Sequence, residues 1–309
     1  MTSMPKTRMG APEWAMLAAL SILWGGTFLF VAVAVNEIPP LTLVTLRVAI
    51  AGAAMMILLR IMGLGWPWTY ASVGSFFAMG VLNNVIPFTL IFYGQTQISA
   101  GLASILNATT PIFTVLVLHY LTSDERLTPR KSAGVALGFV GVIVLVGFDA
   151  LSGVIHNVWA QIACLGATVS YAFALLIARR FRGVPAVAVA SGQLMTSTLM
   201  MVPLSLLIDQ PWTLPVPTLP AIAAVLALAL GSTALAYVLY FNIVARAGGT
   251  NASLVTLLIP ASAILLGMFV LGERISLAEL AGLGLILAGL IVIDGRLFAR
   301  GGAAPPKPG

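Results

Sequence analysis

The sequence predicts an all-α membrane protein in which ten transmembrane helices form two inverted five-helix repeats, with both termini cytoplasmic. Three observations predict it. The 309 residues are 60% hydrophobic and 8% charged, whereas a soluble domain carries about a quarter charged residues. Several apolar runs exceed the roughly 20 residues that cross a hydrocarbon core. A long block of sequence also occurs twice. Only helices fit, because the runs are far longer than barrel strands and do not alternate.

Hydropathy places the spans at 14–35, 41–62, 69–93, 100–120, 131–148, 158–178, 186–208, 218–244, 250–271 and 277–297. The first is too long for a signal-peptide core and lacks a small-residue cleavage site after it, so it is expected to stay in the mature chain. The second carries Arg47, the one charge clearly inside a span. The third reads "GVLNNVIPF", with Asn83, Asn84 and Pro87 in an otherwise lipid-soluble run. Asn107 and Pro111 mark the fourth. Glycines mark the fifth (Gly134, Gly138, Gly141) and the tenth (Gly282, Gly284, Gly289), where they make smooth faces for close helix contact. The sixth holds Ser170 and Tyr171, the eighth Ser232, Thr233 and Tyr237, and the ninth Thr256 and Pro260. The tail from Arg300 to Gly309 is Pro/Gly-rich and expected to be disordered.

Charge orients the spans. With the N-terminus inside, thirteen of the fifteen Lys and Arg fall in inner segments, from Lys6 and Arg8 to Arg296, Arg300 and Lys307. Only Arg274 lies in an outer loop. This asymmetry puts both termini in the cytoplasm. The pI near 9.9 therefore reflects membrane orientation, and no nucleic-acid partner is expected. Lone Cys164 excludes a disulfide framework and a cysteine metal cluster. No cofactor is expected, and the partners are the lipid bilayer and a small-molecule substrate. The oligomeric state, monomer or weak dimer, stays open.

The repeat pairs Pro111 with Pro260, Ser104 with Ser253 and, after a one-residue slip, Glu125 with Glu273. Upstream, Phe92 pairs with Phe241. The chain thus divides into residues 1–148 and 149–309, one five-helix unit duplicated. An odd helix number makes the second copy enter the membrane from the opposite side, which is the symmetry that lets carriers alternate between two open states around one midplane site.

That symmetry gathers polar groups at one depth. Asn83 and Asn84 map onto Ser232 and Thr233, and Phe88 onto Tyr237; Trp24 and Phe28 of the first span stand opposite Ser170 and Tyr171 of the sixth. A buried amide without a partner costs roughly 1–3 kcal/mol. Pro87 removes the amide that would pair with the carbonyl of Asn83. Two readings follow: interhelical glue worth about 0.6 kcal/mol per contact, or the wall of a binding cavity with Asn107 and Thr256 beside it and Pro87, Pro111 and Pro260 as kinks that gate it. Arg47, about 10 Å below the outer surface at 1.5 Å per residue, either meets a substrate carboxylate, or snorkels or caps carbonyls of a neighbouring helix. No Asp or Glu falls in the central turns of a span, and neither His119 nor His156 is placed as a proton relay, so uncoupled facilitated diffusion or exchange is the simplest mechanism. The same absences argue against an intramembrane enzyme.

"LWGGTFLF" in the first span, "PPLTLVTLRVAIAG" leading into the second, and the twice-occurring "A-S…P…ER…G…G" block resemble the drug/metabolite transporter superfamily, in its ten-helix EamA-type members. The likeness covers residues 12 to 297. It implies a central cavity formed mainly by the first, third, fourth, sixth, eighth and ninth helices, and it matches Arg47 with an arginine common in the second helix, which favours a structural role. It further implies a bacterial inner-membrane carrier that exports amino acids, aromatic ones among them, or similar small metabolites. Trp24, Phe28, Phe88, Tyr171 and Tyr237 among amides and hydroxyls suit amphipathic zwitterions. The alternatives are a sugar or nucleoside uptake or exchange carrier, a proton-coupled drug/metabolite antiporter and a passive channel.

Overall fold

The structure, a computed structural model, describes residues 9–66, 68, 72–123, 125–151 and 155–295. Lys6, Arg8, Arg296, Arg300, Lys307 and the tail expected to be disordered lie outside the described residues, as do residues 69–71 of the third expected span and the side chain of His156. Every described element is helical. Among the described residues nine helices are long and apolar enough to cross a membrane: α1 (Ala11–Ala34), α2 (Pro40–Ile61), α3 (Val73–Gly94), α4 (Ala100–Leu121), α5 (Pro129–Gly147), α6 (Asn157–Phe181), α7 (Ala186–Ile208), α8 (Leu219–Ala247) and, last of them, Leu277–Asp294. Between the last two lies a shorter apolar helix, Val255–Leu271. We number these two α9 (Val255–Leu271) and α10 (Leu277–Asp294). All ten coincide with the hydropathy spans.

Local chemistry sets the boundaries. Pro12 and Pro40 sit in the first turns of α1 and α2, where a missing N–H is not needed. Ser99 Oγ accepts from Leu102 N at 3.1 Å to start α4. Ser276 and Glu279 form a reciprocal cap at the start of α10, satisfying two orphan donors. Gly248 and Gly295 follow α8 and α10 with φ of 83° and 72°, a conformation that suits glycine and stops a helix. That is why α10 ends at Asp294 rather than at the expected 297.

The ninth expected span, 250–271, is broken. A short helix, Gly249–Ala252, precedes α9, and the turn between them lies at Ser253 and Leu254. Pro260, the expected kink, stands inside an unbroken α9. In α4 the break lies at Ala108 and Thr109, just ahead of Pro111. Proline cannot donate to the carbonyl four residues back; that carbonyl belongs to Asn107 and accepts from Thr110 Oγ1 at 2.7 Å.

The helices pack in pairs across the two halves: α2 on α7, α5 on α10, α1 on α8 and α9, and α6 on α3 and α4. The α5–α10 pair is a backbone-to-backbone clasp. A Cβ on Gly289 would stand 2.6 Å from the Gly134 carbonyl and 2.9 Å from the Gly138 amide, and one on Gly141 would stand 2.8 Å from the Gly282 carbonyl. The glycines read as packing surfaces do pack the scaffold. Gly284 is the exception, with nothing near its missing side chain.

Carboxylates tie the helix ends. Asp209 Oδ2, at the end of α7, accepts from Thr42 N and Oγ1 at 2.7 and 2.9 Å. Glu37 accepts from Thr218 N and Oγ1 at 2.7 and 2.6 Å. Glu273 accepts from Ala100 N at 2.7 Å and Gly101 N at 3.1 Å. Each acid sits at the start of a helix from another part of the chain, where free N–H groups and the helix dipole favour negative charge. The connections they join are α1–α2 with α7–α8, and α3–α4 with α9–α10. Glu125, in the α4–α5 connection, instead meets Arg179 and Lys131 at 3.4 and 3.8 Å.

Two outcomes follow. Gly289→Ala should cost about 1–3 kcal/mol by overpacking and lower the thermal midpoint in detergent, whereas Gly284→Ala should leave it unchanged. The hydrogen bonds from Thr218 hold the Glu37 carboxyl below its ordinary value of 4.5. A depressed folded pKa means the tie is present above the unfolded value and lost as pH falls through the folded one. Limited proteolysis of the α7–α8 connection should therefore be unchanged from pH 7.5 to 5.5 and should increase only below pH 4.5.

Candidate functional site

The backbone leaves ordinary α-helix at two places of matching position. Val81–Val85 in α3 and Ala227–Leu235 in α8 are π-helical. The first holds Asn83 and Asn84; the second holds their repeat partners Ser232 and Thr233. A π turn is rare and costs hydrogen-bond geometry, and it recurs at functional sites. In α3 the cause is local. The ring of Pro87 would strike the carbonyl four residues back, and widening the preceding turn moves that carbonyl aside. Ile86 N then bonds Val81 O.

Carbonyls in and beside the widened turns are met by hydroxyls, from other helices at α3 and from the same helix at α8. Ser170 Oγ of α6 donates to Leu82 O at 2.7 Å. Ser197 Oγ of α7 lies 3.3 Å from Gly80 O, and Thr233 Oγ1 lies 2.9 Å from Leu228 O within α8. The sequence pointed to the carbonyl of Asn83; the side-chain donors reach Gly80 and Leu82 instead.

The two asparagines have different lives. Asn84 is fully buried and its Nδ2 donates to Ser197 Oγ at 2.9 Å; its Oδ1 has no partner. Asn83 is half-buried, and its Nδ2 donates to Gln193 Oε1 at 3.1 Å and to Tyr237 Oη at 3.4 Å. Gln193 Nε2 closes the triangle with Tyr237 Oη at 3.3 Å. Tyr237 stacks on Phe241, Phe241 meets Tyr240, and Tyr240 meets Trp24, with ring centroids 5.5–5.8 Å apart. Thus Asn83, Ser170, Thr233, Tyr237 and Trp24 belong to one connected region spanning α1, α3, α6, α7 and α8.

Arg47 stands beside it. The side chain is 6% exposed, Nε donates to Thr233 Oγ1 at 3.0 Å, and the guanidinium lies 3.7 Å from the centre of the Phe88 ring, a cation–π contact. Among the described residues its side chain donates to a hydroxyl and to no carbonyl. Tyr171 and Tyr237 are its electrostatic neighbours, and no carboxylate pairs with it among the described residues.

Other expected residues make contacts of their own. Phe28 is core, and its carbonyl accepts from Gln95 Nε2 at 2.8 Å. Thr256 Oγ1 turns back on Ser253 O at 2.8 Å. Asn107 has a buried Oδ1 without a partner. Ser232 is buried with its Oγ unpartnered, next to Thr233.

The sequence reading left out α7. Gln193 and Ser197 hold both asparagines, and Thr196 Oγ1 donates to Phe76 O at 3.0 Å. The signal was present in "SGQLMTST", a polar stretch inside an apolar span. Gln193 and Ser197 are four residues apart and share a face.

Asn84→Ala should lose the Ser197 bond and cost about 1–2 kcal/mol, seen as a lower thermal midpoint. Asn83→Ala, at a half-buried position, should move the midpoint by less than half as much while impairing any solute binding.

Comparison with known proteins bears on this site. An uncharacterized transporter of Archaeoglobus fulgidus is 25% identical over 91% of this chain and 98% of its own. Protein PecM of Dickeya dadantii is 26% identical over 90% and 91%, and the uncharacterized inner membrane transporter YedA of Escherichia coli K12 is 25% identical over 91% and 90%. A solved crystal structure at 23% identity covers 92% of the chain and 97% of its own with a TM-score of 0.65, so the fold is shared. The model of the EamA-like transporter family matches residues 13–147 and again 158–294. With two matches over ten apolar helices and relatives named as transporters, this chain is a multi-pass membrane protein and belongs to the EamA-like transporter family.

Proposed function

We propose that the protein is a carrier of the bacterial inner membrane that exports amino acids or similar amphipathic metabolites by alternating access, without a coupling ion. The observation that carries this reading is the pair of π turns at repeat-related positions in α3 and α8. The turn in α3 opens helical backbone where hydroxyls and amides of α6 and α7 converge, and the turn in α8 holds Thr233, which accepts from Arg47 of α2. Half-buried Asn83, Tyr237 and Trp24 add hydrogen bonds and aromatic faces, the chemistry that grips a small amphipathic solute.

Inverted repeats are part of the proposal, and the helix ends support them. Glu273 caps the start of α4, while its repeat counterpart Glu125 is half-exposed and paired with Arg179 and Lys131. One end is latched by a carboxylate and the equivalent latch at the other end is undone. In two inverted copies, swapping these roles converts one open state into the other. The separate family matches in the two halves fit a division at residues 148 and 149. The acidic residues among the described residues lie in connections or terminal turns of helices, so none of these offers a midplane carboxylate to carry a proton.

The test is counterflow in proteoliposomes with labelled amino acids, with and without an imposed proton gradient. Saturable flux, stimulated by unlabelled solute on the far side and indifferent to the gradient, is expected. Glu273→Gln should slow exchange about fivefold by weakening the latch while leaving binding intact. Flux that neither saturates nor trans-stimulates would identify a channel, and gradient dependence would restore the proton-coupled antiporter. Transport of sugars or nucleosides alone would replace the substrate.

A further inference from the structure

Arg47 is a permanent charge within a membrane-spanning helix, 6% exposed and without a carboxylate partner among the described residues. An ion taken from water is tolerated when paired and hydrogen-bonded, and a buried charge left alone is strongly destabilising. Of its five N–H donors, one finds an acceptor among the described residues, Nε on Thr233 Oγ1. The ring of Phe88 covers one face of the guanidinium and offsets part of the charge. Its other electrostatic neighbours, Tyr171 and Tyr237, are neutral phenols. With Nε fixed on Thr233 and a ring on the face, the edge bearing the two terminal nitrogens remains. That edge has the fork geometry that holds a carboxylate through two parallel hydrogen bonds.

The surroundings agree. Thr233, which positions Arg47, lies in the π turn of α8, next to Ser232 with its buried, unpartnered hydroxyl. Tyr237, one helical turn on, is bonded to Asn83 and Gln193. The charge is therefore continuous with the polar cluster.

We propose that Arg47 is the anion-binding group of the site, and that the transported molecule carries a carboxylate that pairs with the guanidinium. Acids are then ligands, and their uncharged-end analogues are not. This deepens the carrier reading and rests on it.

The test uses purified full-length protein in detergent and matched pairs of probes: phenylalanine and leucine against phenylalaninamide and leucinamide, with phenethylamine as the decarboxylated form. Thermal unfolding is followed as each is titrated. The expected result is saturable stabilisation by the acids, with apparent affinity weaker by roughly tenfold or more for the amides and the amine. Arg47→Met should abolish the preference, and Arg47→Lys, which keeps the charge without the fork, should retain part of it. The wild-type comparison needs no variant, so an unfolded variant does not blunt the test. Equal stabilisation by acids and amides would overturn the proposal, as would stabilisation by neither or an acid preference that survives in Arg47→Met. Parallel counterflow separates the two readings. Flux of solutes regardless of a carboxylate keeps the carrier and removes the role of Arg47; no saturable flux of any solute removes the carrier itself.

Discussion

A hydrocarbon surround offers no hydrogen bonds, so a carbonyl released from helical pairing must find a donor within the protein. Much of the central arrangement follows from that demand. Pro87 disturbs α3 and the turn before it widens; Ser170 and Ser197 then bring α6 and α7 up to the carbonyls of Leu82 and Gly80. Close approach is possible because Gly80 presents no side chain. A Cβ there would stand 2.6 Å from Thr196 Oγ1. A polar opening in an apolar bundle is thus held by three helices, and the stress of one proline fixes where it lies.

The fold was legible because membrane helices are long and uniformly apolar, so each span announces itself by length alone. Boundaries failed where a single residue decides them, as Gly295 does at the end of α10. The site was half legible. Asn83, Asn84 and their counterparts stood out as polar residues at one depth. Which amide bridges helices and which faces the half-buried cluster depends on α7, whose rotation about its axis no pattern of ten apolar spans sets. Pro260 stands within a continuous helix, and the interruption lies upstream at Ser253 and Leu254, where no proline marks it. Arg47 resembled a snorkelling arginine on depth alone. Its contacts with Thr233 and Phe88 join residues 186 apart in sequence with a third helix, a convergence that exists only in the folded chain.

The two halves use equivalent residues unequally. Ser232 and Thr233 occupy the same repeat position as Asn83 and Asn84, yet one pair offers amides and the other hydroxyls, and only Thr233 holds the arginine. A duplicated scaffold supplies symmetric openings in the backbone, and the side chains then make the region chemically one-sided. The region thereby gathers a charge held by Thr233 and Phe88 beside the row of rings from Tyr237 to Trp24.

The glycine clasp of α5 and α10 bears on how a duplicated gene can drift. Elsewhere one copy is free to change a side chain while the other keeps the old one, as Asn-Asn and Ser-Thr have done. At Gly134, Gly141 and Gly289 the nearest atom to an added methyl group is a main-chain carbonyl of the other copy, which cannot step aside, and at Gly282 it is the side chain of Leu145. The last helices of the two units are thus tied to each other's sequence at these positions, a constraint that the polar residues of α3 and α8 do not share.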